Sequence, residues 1–146
     1  MTVKITRVKL WRTKISNRPG VLADTLEPLA QAGADLQVVM KYSAPGQSSH
    51  ATVEIFPGVS RRSVLAARAA GFSLSPTPLL LVEGENRPGL AYAIANTIAW
   101  AGIVVRFLTA QVVGRRYSAL LGFRTEDEAK KAASLIRKVA AEPKKR

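Results

Sequence analysis

The sequence predicts an α+β protein built from two βαββαβ modules in tandem, each with an antiparallel sheet and its helices on one face. The stretch Asn17-Arg18-Pro19-Gly20 recurs 69 positions later as Asn86-Arg87-Pro88-Gly89, and the correspondence runs without a gap to Gly33 and Gly102. Each copy lies between a segment of alternating apolar residues and an alanine-rich segment with helical periodicity. An ungapped repeat of this kind indicates one module used twice.

Length and composition agree with two small globular modules. The 146 residues are 47% hydrophobic and 22% charged, which is typical of a globular protein. Because there is no cysteine, disulfide frameworks, thiolate zinc sites and cysteine nucleophiles are excluded. The repeat places module 1 at residues 1–75, a Pro-Thr-Pro linker at 76–78, and module 2 with a basic C-terminal tail at 79–146.

In the first module, residues 3–15 predict a strand because Trp11, Thr13 and Ile15 alternate with polar residues. The alternation changes phase between Ile5 and Val8, which indicates either a bulge or a separate leading segment. The fixed backbone angle of Pro19 suits the first position of a helix. The remaining predicted elements are a helix ending at Gly33, strands at 35–42 and 50–56, a helix from Ser60 to Gly71, and a short strand at 72–75.

The second module repeats this order and ends in a helix that begins with a capping box at Thr125. Its predicted elements before that helix are strands at 79–85, 103–112 and 117–124 and a helix at 89–101. Strand 79–82 is apolar on both faces, so we expect its outer face to be covered by the other half, a second copy of the chain or a partner. Residues 140–146 show no strand pattern, which leaves this module without a predicted final strand.

An uncharged run of 18 residues, Pro88 to Val105, reaches the minimum length of a membrane span. A helix followed by a strand explains it better, because its first half has helical periodicity and Ile103, Val104 and Val105 are β-branched. The N-terminal residues also lack the apolar stretch of a signal peptide. We therefore expect a cytoplasmic protein with no membrane partner.

Each half resembles an ACT domain, a small regulatory module that binds amino acids. The pattern is Asp or Asn, then Arg-Pro-Gly and Leu, a helix rich in Leu and Ala, and a Gly before the second strand. It is matched by Asn17 to Leu22 with Ala32 to Leu36, and by Glu85 to Leu90 with Ala101 to Val105. The resemblance implies a ferredoxin-like fold and an effector held between modules, at the loop after the first strand and the facing second strand.

The residues at these loops have suitable chemistry for an amino acid. Amides at a helix start attract a carboxylate, and an asparagine side chain both donates and accepts hydrogen bonds. Asp35 in the first half can also bind an ammonium group, whereas its counterpart Val104 cannot, so we expect the first loop to be the better site. The predicted ligand-binding residues are Asn17, Arg18, Gly20, Val21, Leu22, Asp35, Asn86, Arg87, Gly89 and Leu90.

Structural explanations compete with these predictions. The Asn-Arg-Pro-Gly loops also suit a plain helix start, and Asp35 also suits a turn. A lone His50 on a polar strand face favours a solvated side chain over a metal site, and Trp11 and Trp100 are expected in the core or at an interface. No nucleophile or metal-ligand cluster accompanies Glu83 and Glu85, so we expect no catalysis, no metal and no cofactor.

The sequence therefore predicts a non-catalytic regulatory protein that binds an amino acid or a related small metabolite and acts through ligand-dependent association. We expect a homodimer and a regulated protein partner. The formal charge of +12 supports an alternative, an RNA-binding ferredoxin-like module. The predicted return strands lack the glycine-aromatic signature that stacks bases, so nucleic acid is disfavoured. A ligand-free oligomerisation scaffold is a third possibility.

Overall fold

A computed structural model describes residues 3–141 and contains two antiparallel four-stranded sheets within that range, which confirms the predicted pair of ferredoxin-like modules. The sheet orders are β3-β4-β2-β5 and β1-β6-β8-β7. The elements are β1 (Val3–Val8), β2 (Trp11–Ser16), α1 (Val21–Gln31), β3 (Val38–Tyr42), β4 (His50–Phe56), α2 (Arg61–Ala69), β5 (Ser73–Leu74), β6 (Leu79–Glu85), α3 (Leu90–Trp100), β7 (Phe107–Val113), β8 (Arg116–Gly122) and α4 (Glu126–Ala141).

The first strand of the chain completes the second module. β1 pairs antiparallel with β6, from Val3 opposite Gly84 to Val8 opposite Leu79. In residues 3–141 no strand follows α4, and β1 occupies the place beside β6 that a final strand would take. The predicted basic tail lies outside the described residues.

The contacts therefore divide the chain differently from the boundaries 1–75, 76–78 and 79–146. Lys9–Pro76 form one unit, called the first module below, and Val3–Val8 join the residues from Thr77 onward in the second module. Residues 3–15 are two strands in two different sheets, which is the separate leading segment of the two alternatives. The break is at Lys9 and Leu10, just after the phase change between Ile5 and Val8.

The first module packs α1 and α2 on one face of its sheet. Its core consists of buried residues from the strands, both helices and the segment after α2: Trp11, Ile15, Leu29, Ala51, Val53, Ile55, Ala67 and Phe72. Ser60 caps α2 as predicted, since its Oγ accepts a hydrogen bond from the Ser63 amide at 3.2 Å. Trp11 is 7% exposed, in agreement with the core position predicted for it.

The second module packs α3 and α4 against the sheet in the same way. Its core includes Leu80, Val82, Leu90, Ile94, Ile98, Tyr117, Ala119, Leu121, Phe123, Ala129, Ala132 and Ile136. Thr125 Oγ1 accepts a hydrogen bond from the Glu128 amide at 3.1 Å, which is the N-cap half of the expected capping box. Leu79 and Leu81, on the outer face of β6, are 4% and 9% exposed.

Both repeat-motif helices begin later than predicted, α1 two residues after Pro19 and α3 one residue after Gly89. α1 starts at Val21 and α3 at Leu90, and the cap residues Gly20 and Gly89 have φ angles of 88° and 83°. This left-handed backbone is costly for residues with a side chain, so the glycine of the motif is needed to turn the chain into the helix. The preceding prolines lie outside the helix.

The uncharged run contains a helix, as predicted, but Ile103, Val104 and Val105 are not in a strand: β7 begins at Phe107, four residues later than the predicted 103. α3 covers only 11 residues of it. Within residues 3–141 no helix has the length and apolar character needed to cross a bilayer. Trp100, at the end of α3, is 84% exposed, which excludes the core position that was one of its two predicted placements.

Candidate ligand-binding site

A cleft of about 430 Å³ lies beside the second repeat loop. The loop between β6 and α3 forms one wall, and the edge strand β7 with the start of β8 forms the other. The cleft is lined by Asn86, Arg87, Pro88, Gly89, Leu90, Ala91, Ala110, Gln111, Val112 and Tyr117. Its volume is within the range of pockets that bind small molecules.

The helix start at this cleft offers backbone donors. The Leu90 amide donates to the Arg87 carbonyl at 3.2 Å, and the Gly89 carbonyl accepts from the Ala93 amide at 3.0 Å. No side chain caps α3, so the amides of Ala91 and Tyr92 have no intrahelical acceptor. Together with the positive end of the helix dipole, these amides favour an anionic group such as a carboxylate.

The opposite wall combines an exposed amide with a buried phenol. Gln111 on β7 is exposed and can donate and accept hydrogen bonds. Tyr117 on β8 stands between Val112 and Gly84 in the strand register and is only 5% exposed. Burial raises the pKa of the Tyr117 hydroxyl above its ordinary value of 10.0. None of the lining residues is acidic, so the wall does not repel a carboxylate.

Asn86 and Arg87 fix the loop in different ways. The Asn86 amide donates to the Arg115 carbonyl at 2.9 Å, which ties the loop to the β7–β8 turn. Its side chain is exposed and has no hydrogen-bond partner in residues 3–141, so it is free to meet a ligand. Arg87 Nη2 instead donates to the Val139 carbonyl at 2.8 Å in the last turn of α4. One guanidinium group therefore links the loop to the end of a helix.

The equivalent asparagine of the first module is engaged by its own chain. Asn17 Nδ2 donates to Ser43 Oγ at 3.1 Å and to the Ser48 carbonyl at 2.9 Å, and its backbone amide donates to the Ser49 carbonyl at 2.9 Å. These bonds fasten the β3–β4 connection to the repeat loop. Arg18, the counterpart of Arg87, is exposed. The two loops are alike in sequence and different in their contacts.

Asp35 lies between α1 and β3, where its carboxylate accepts a hydrogen bond from Gln37 Nε2 at 2.7 Å. It is exposed, and in the described part of the chain no hydrogen bond joins it to Asn17. Its counterpart Val104 is 64% exposed. Gly20, Val21 and Leu22 form the uncapped start of α1, in the same arrangement as the start of α3.

Six lining residues were not in the predicted set: Pro88 and Ala91 in the repeat loop, and Ala110, Gln111, Val112 and Tyr117 on the opposite wall. The resemblance stated above could have indicated the three on β7, because there the second strand faces the repeat loop. Tyr117 could be assigned to the cleft only from the strand register, since the β6–β8 and β7–β8 pairings place it beside Gly84 and Val112.

Comparison with known proteins supports the fold through structure alone. Neither a protein-family model nor a curated protein sequence matches this chain. Protein BT0572 from Bacteroides thetaiotaomicron has a similar structure, with a TM-score of 0.72, 14% sequence identity, and coverage of 89% of this chain and 88% of that one. The ligand-free regulatory subunit of aspartate kinase from Thermus thermophilus superposes with a TM-score of 0.65 at 14% identity, covering 95% of this chain and 97% of the other.

The chain has the fold of this regulatory subunit, two ferredoxin-like modules in tandem, which is the fold that the ACT resemblance implied. The regulatory subunit of aspartate kinase from Thermus flavus agrees, with a TM-score of 0.60 at 15% identity over 96% of this chain and 97% of that one. Coverage is nearly complete in both directions, so the match includes both modules.

Proposed function

We propose that this chain is a non-catalytic regulatory protein that binds an amino acid, or a related small carboxylate, in the cleft beside Asn86–Ala91. Occupancy would be transmitted through association with a second copy or with a regulated protein partner. The observation that carries the proposal is the cleft itself, which joins an uncapped helix start to a wall with no acidic side chain.

The ligand chemistry follows from the groups around the cleft. The Ala91 and Tyr92 amides suit a carboxylate, while the side-chain oxygens of Asn86 and Gln111 can accept hydrogen bonds from an ammonium group. Leu90 and Val112 provide apolar surface for a side chain. An amino acid combines these three features in one small molecule.

The contacts favour the second loop over the first as the binding site. The Asn17 side chain already donates two hydrogen bonds to the β3–β4 connection, whereas the Asn86 side chain is free within the described residues. Of the ten predicted residues, Asn86, Arg87, Gly89 and Leu90 line the proposed cleft. The six first-loop residues are proposed as a weaker site.

The absence of catalysis is proposed on similarity of fold. Two of the similar structures are regulatory subunits of aspartate kinase by their own descriptions. In residues 3–141 no three His, Cys, Asp or Glu side chains are grouped so that they could hold a metal ion.

Thermal unfolding of the full chain with each of the common amino acids tests the proposal. A ligand at about 100 times its dissociation constant stabilises the folded state by about 2.7 kcal/mol, which raises the melting temperature by several degrees. We expect one amino acid, or a small group, to give this rise. Calorimetric titration of Asn86→Ala and Gln111→Leu should then show at least tenfold weaker binding, because each variant loses a polar contact.

Arg18→Ala is the control, since it changes an exposed residue of the other loop. Its affinity should stay within twofold of the unmodified chain. Weaker binding by Arg18→Ala with unchanged binding by Asn86→Ala would place the ligand at the first loop. No response to any amino acid, together with salt-sensitive binding of a short RNA, would favour the RNA-binding alternative.

A further inference from the structure

The outward face of α3 differs from every other helix surface in residues 3–141 because it carries no charge. Charged residues occur in α1, α2 and α4, whereas α3 and the residues on either side of it, Pro88 to Val105, have none. Two large aromatic side chains lie on this face in contact with solvent: Tyr92 is 73% exposed and Trp100 is 84% exposed.

Helical geometry places the exposed residues on one side. Leu90, Ile94 and Ile98 are buried in the core. At about 100° per residue, the opposite side of the helix carries an exposed set that we call the neutral face. The neutral face consists of Tyr92, Ala95, Asn96, Ala99 and Trp100.

We propose that the neutral face of α3 is the surface through which two copies of this chain associate. Asn96 lies four residues after Tyr92 and four before Trp100. When two such helices cross antiparallel about Asn96, Tyr92 of each copy meets Trp100 of the other, and the two Asn96 side chains meet at the centre. A twofold interface requires this reciprocity, in which residue i contacts j and j contacts i.

The distribution of side-chain size fits the same arrangement. The aromatic rings stand at the two ends, about 12 Å apart along the helix axis at 1.5 Å per residue. Ala95 and Ala99 lie between them and allow two helix backbones to approach closely. The two asparagine amides can hydrogen-bond to each other, since each offers a donor and an acceptor.

Charge identifies a second copy as the occupant. The chain carries a formal charge of +12, so most of its surface repels another copy at low ionic strength. The neutral face is a helix surface where two copies meet without placing like charges against each other. An acidic partner would instead be attracted to the basic surfaces and would gain nothing from this one.

The area available is consistent with a small dimer interface. Aromatic side chains of this kind bury roughly 150–250 Å² each. The four rings of a dimer therefore supply on the order of half of the ~1,200 Å² that a small specific interface buries. Val104, 64% exposed just beyond the helix, lies next to this surface in the sequence and extends the uncharged region.

Sedimentation velocity of the full chain over a range of concentrations, without added amino acid, tests the proposal. We expect a monomer–dimer equilibrium whose dissociation constant rises at least tenfold in Ala99→Lys, because two ammonium groups would then face each other across the interface. The repeat supplies a matched control: Ala30 is the equivalent residue on α1 and is also exposed, so Ala30→Lys adds the same charge to the other module. Its dissociation constant should change less than threefold.

Salt provides a second readout. Because overall repulsion opposes association across an uncharged face, raising sodium chloride from 50 to 500 mM should strengthen the dimer of the unmodified chain.

Acrylamide quenching of tryptophan fluorescence provides a third readout. Trp11 is buried and Trp100 is exposed, so dimer formation should protect the more quenchable tryptophan, and dilution should restore its quenching.

Three results would overturn the proposal: a chain that stays monomeric at millimolar concentration, a dimer that persists unchanged in Ala99→Lys, or equal weakening by Ala30→Lys. Circular dichroism of both lysine variants verifies that each is folded. Tyr92→Lys, at the other end of the neutral face, is a second variant expected to give a monomer. Since the measurement uses no ligand, failure of the amino-acid proposal leaves this result unaffected.

Discussion

Asn17 and Asn86 occupy equivalent positions of the repeat and have different roles. Asn17 holds the β3–β4 connection through two side-chain hydrogen bonds, and Asn86 leaves its side chain exposed beside the cleft. A sequence motif is therefore retained in both modules although its side-chain amide is structural in one of them and available to a ligand in the other.

Asn17→Ala should lower the free energy of unfolding of the first module by about 1–2 kcal/mol, because two hydrogen bonds are lost. Asn86→Ala should change the stability of the second module by no more than about 0.5 kcal/mol. Urea unfolding followed by Trp11 fluorescence, in a Trp100→Phe background, measures the first module. Equal effects of the two substitutions would contradict the different roles described here.

Tyr117 gives the second module a dependence on alkaline pH. Burial raises the pKa of its hydroxyl above the ordinary value of 10.0. Above pH 10 the tyrosine ionises more readily in the unfolded chain than in the folded one, so the free energy of unfolding should fall as the pH rises from 10 toward the folded-state pKa. Below pH 10 this contribution does not vary.

Urea unfolding of the unmodified chain and of Tyr117→Phe at pH 8, 10 and 11 measures this effect. Tyr117→Phe should lose less stability above pH 10 than the unmodified chain. Tyr92→Phe, which removes the hydroxyl of an exposed tyrosine, is the control. Identical pH profiles for Tyr117→Phe and the unmodified chain would show that ionisation of this hydroxyl is not linked to unfolding.

At the scale of elements, local sequence patterns predicted most of the fold. β4 and β6 have the predicted bounds, and the caps at Ser60 and Thr125 are the ones expected from their side chains. These features depend on neighbours within a few residues. The helix starts were misplaced by two residues at α1 and one at α3, because the motif turns through a left-handed glycine at Gly20 and Gly89, which proline placement alone does not reveal.

Features that depend on distant parts of the chain were not predictable in the same way. The apolar alternation of β1 is the same whether the strand pairs with β2 or with β6, so the sequence indicated a strand and not its partner. Prediction of the candidate binding site from the sequence is limited in the same way. The repeat loops could be found from their motif, but the free Asn86 side chain and the occupied Asn17 side chain follow from contacts with other segments.

At the scale of the whole molecule, the two modules share one chain in an interlocked order. The second module begins with β1, is interrupted by Lys9–Pro76, and resumes at Thr77. Cutting the chain at the Pro-Thr-Pro linker therefore gives one segment with an extra strand and another with an unpaired edge on β6. An exposed apolar strand edge of this kind favours aggregation.

A circular permutant tests this organisation. It would begin at Lys9 and carry Val3–Val8 after α4, joined through a flexible Gly-Ser linker, so that the second module becomes a continuous βαββαβ unit. We expect a folded protein with a circular dichroism spectrum like that of the unmodified chain, because the strand pairing is unchanged. The same chain without Val3–Val8 should aggregate or unfold at lower temperature, since Leu80 and Val82 lose their neighbours on β1. Equal stability of the truncated and permuted chains would show that β1 is dispensable.

The position of β1 also sets the order of events during synthesis. Val8 pairs with Leu79, so the ribosome must add some 70 residues before β1 meets the strand beside it. At about 5–20 residues per second, that interval lasts on the order of 4–14 s. Lys9–Pro76 are synthesised within that interval, while β1 has no β6 to pair with. The earliest strand described therefore acquires its neighbour only after the whole first module has been synthesised.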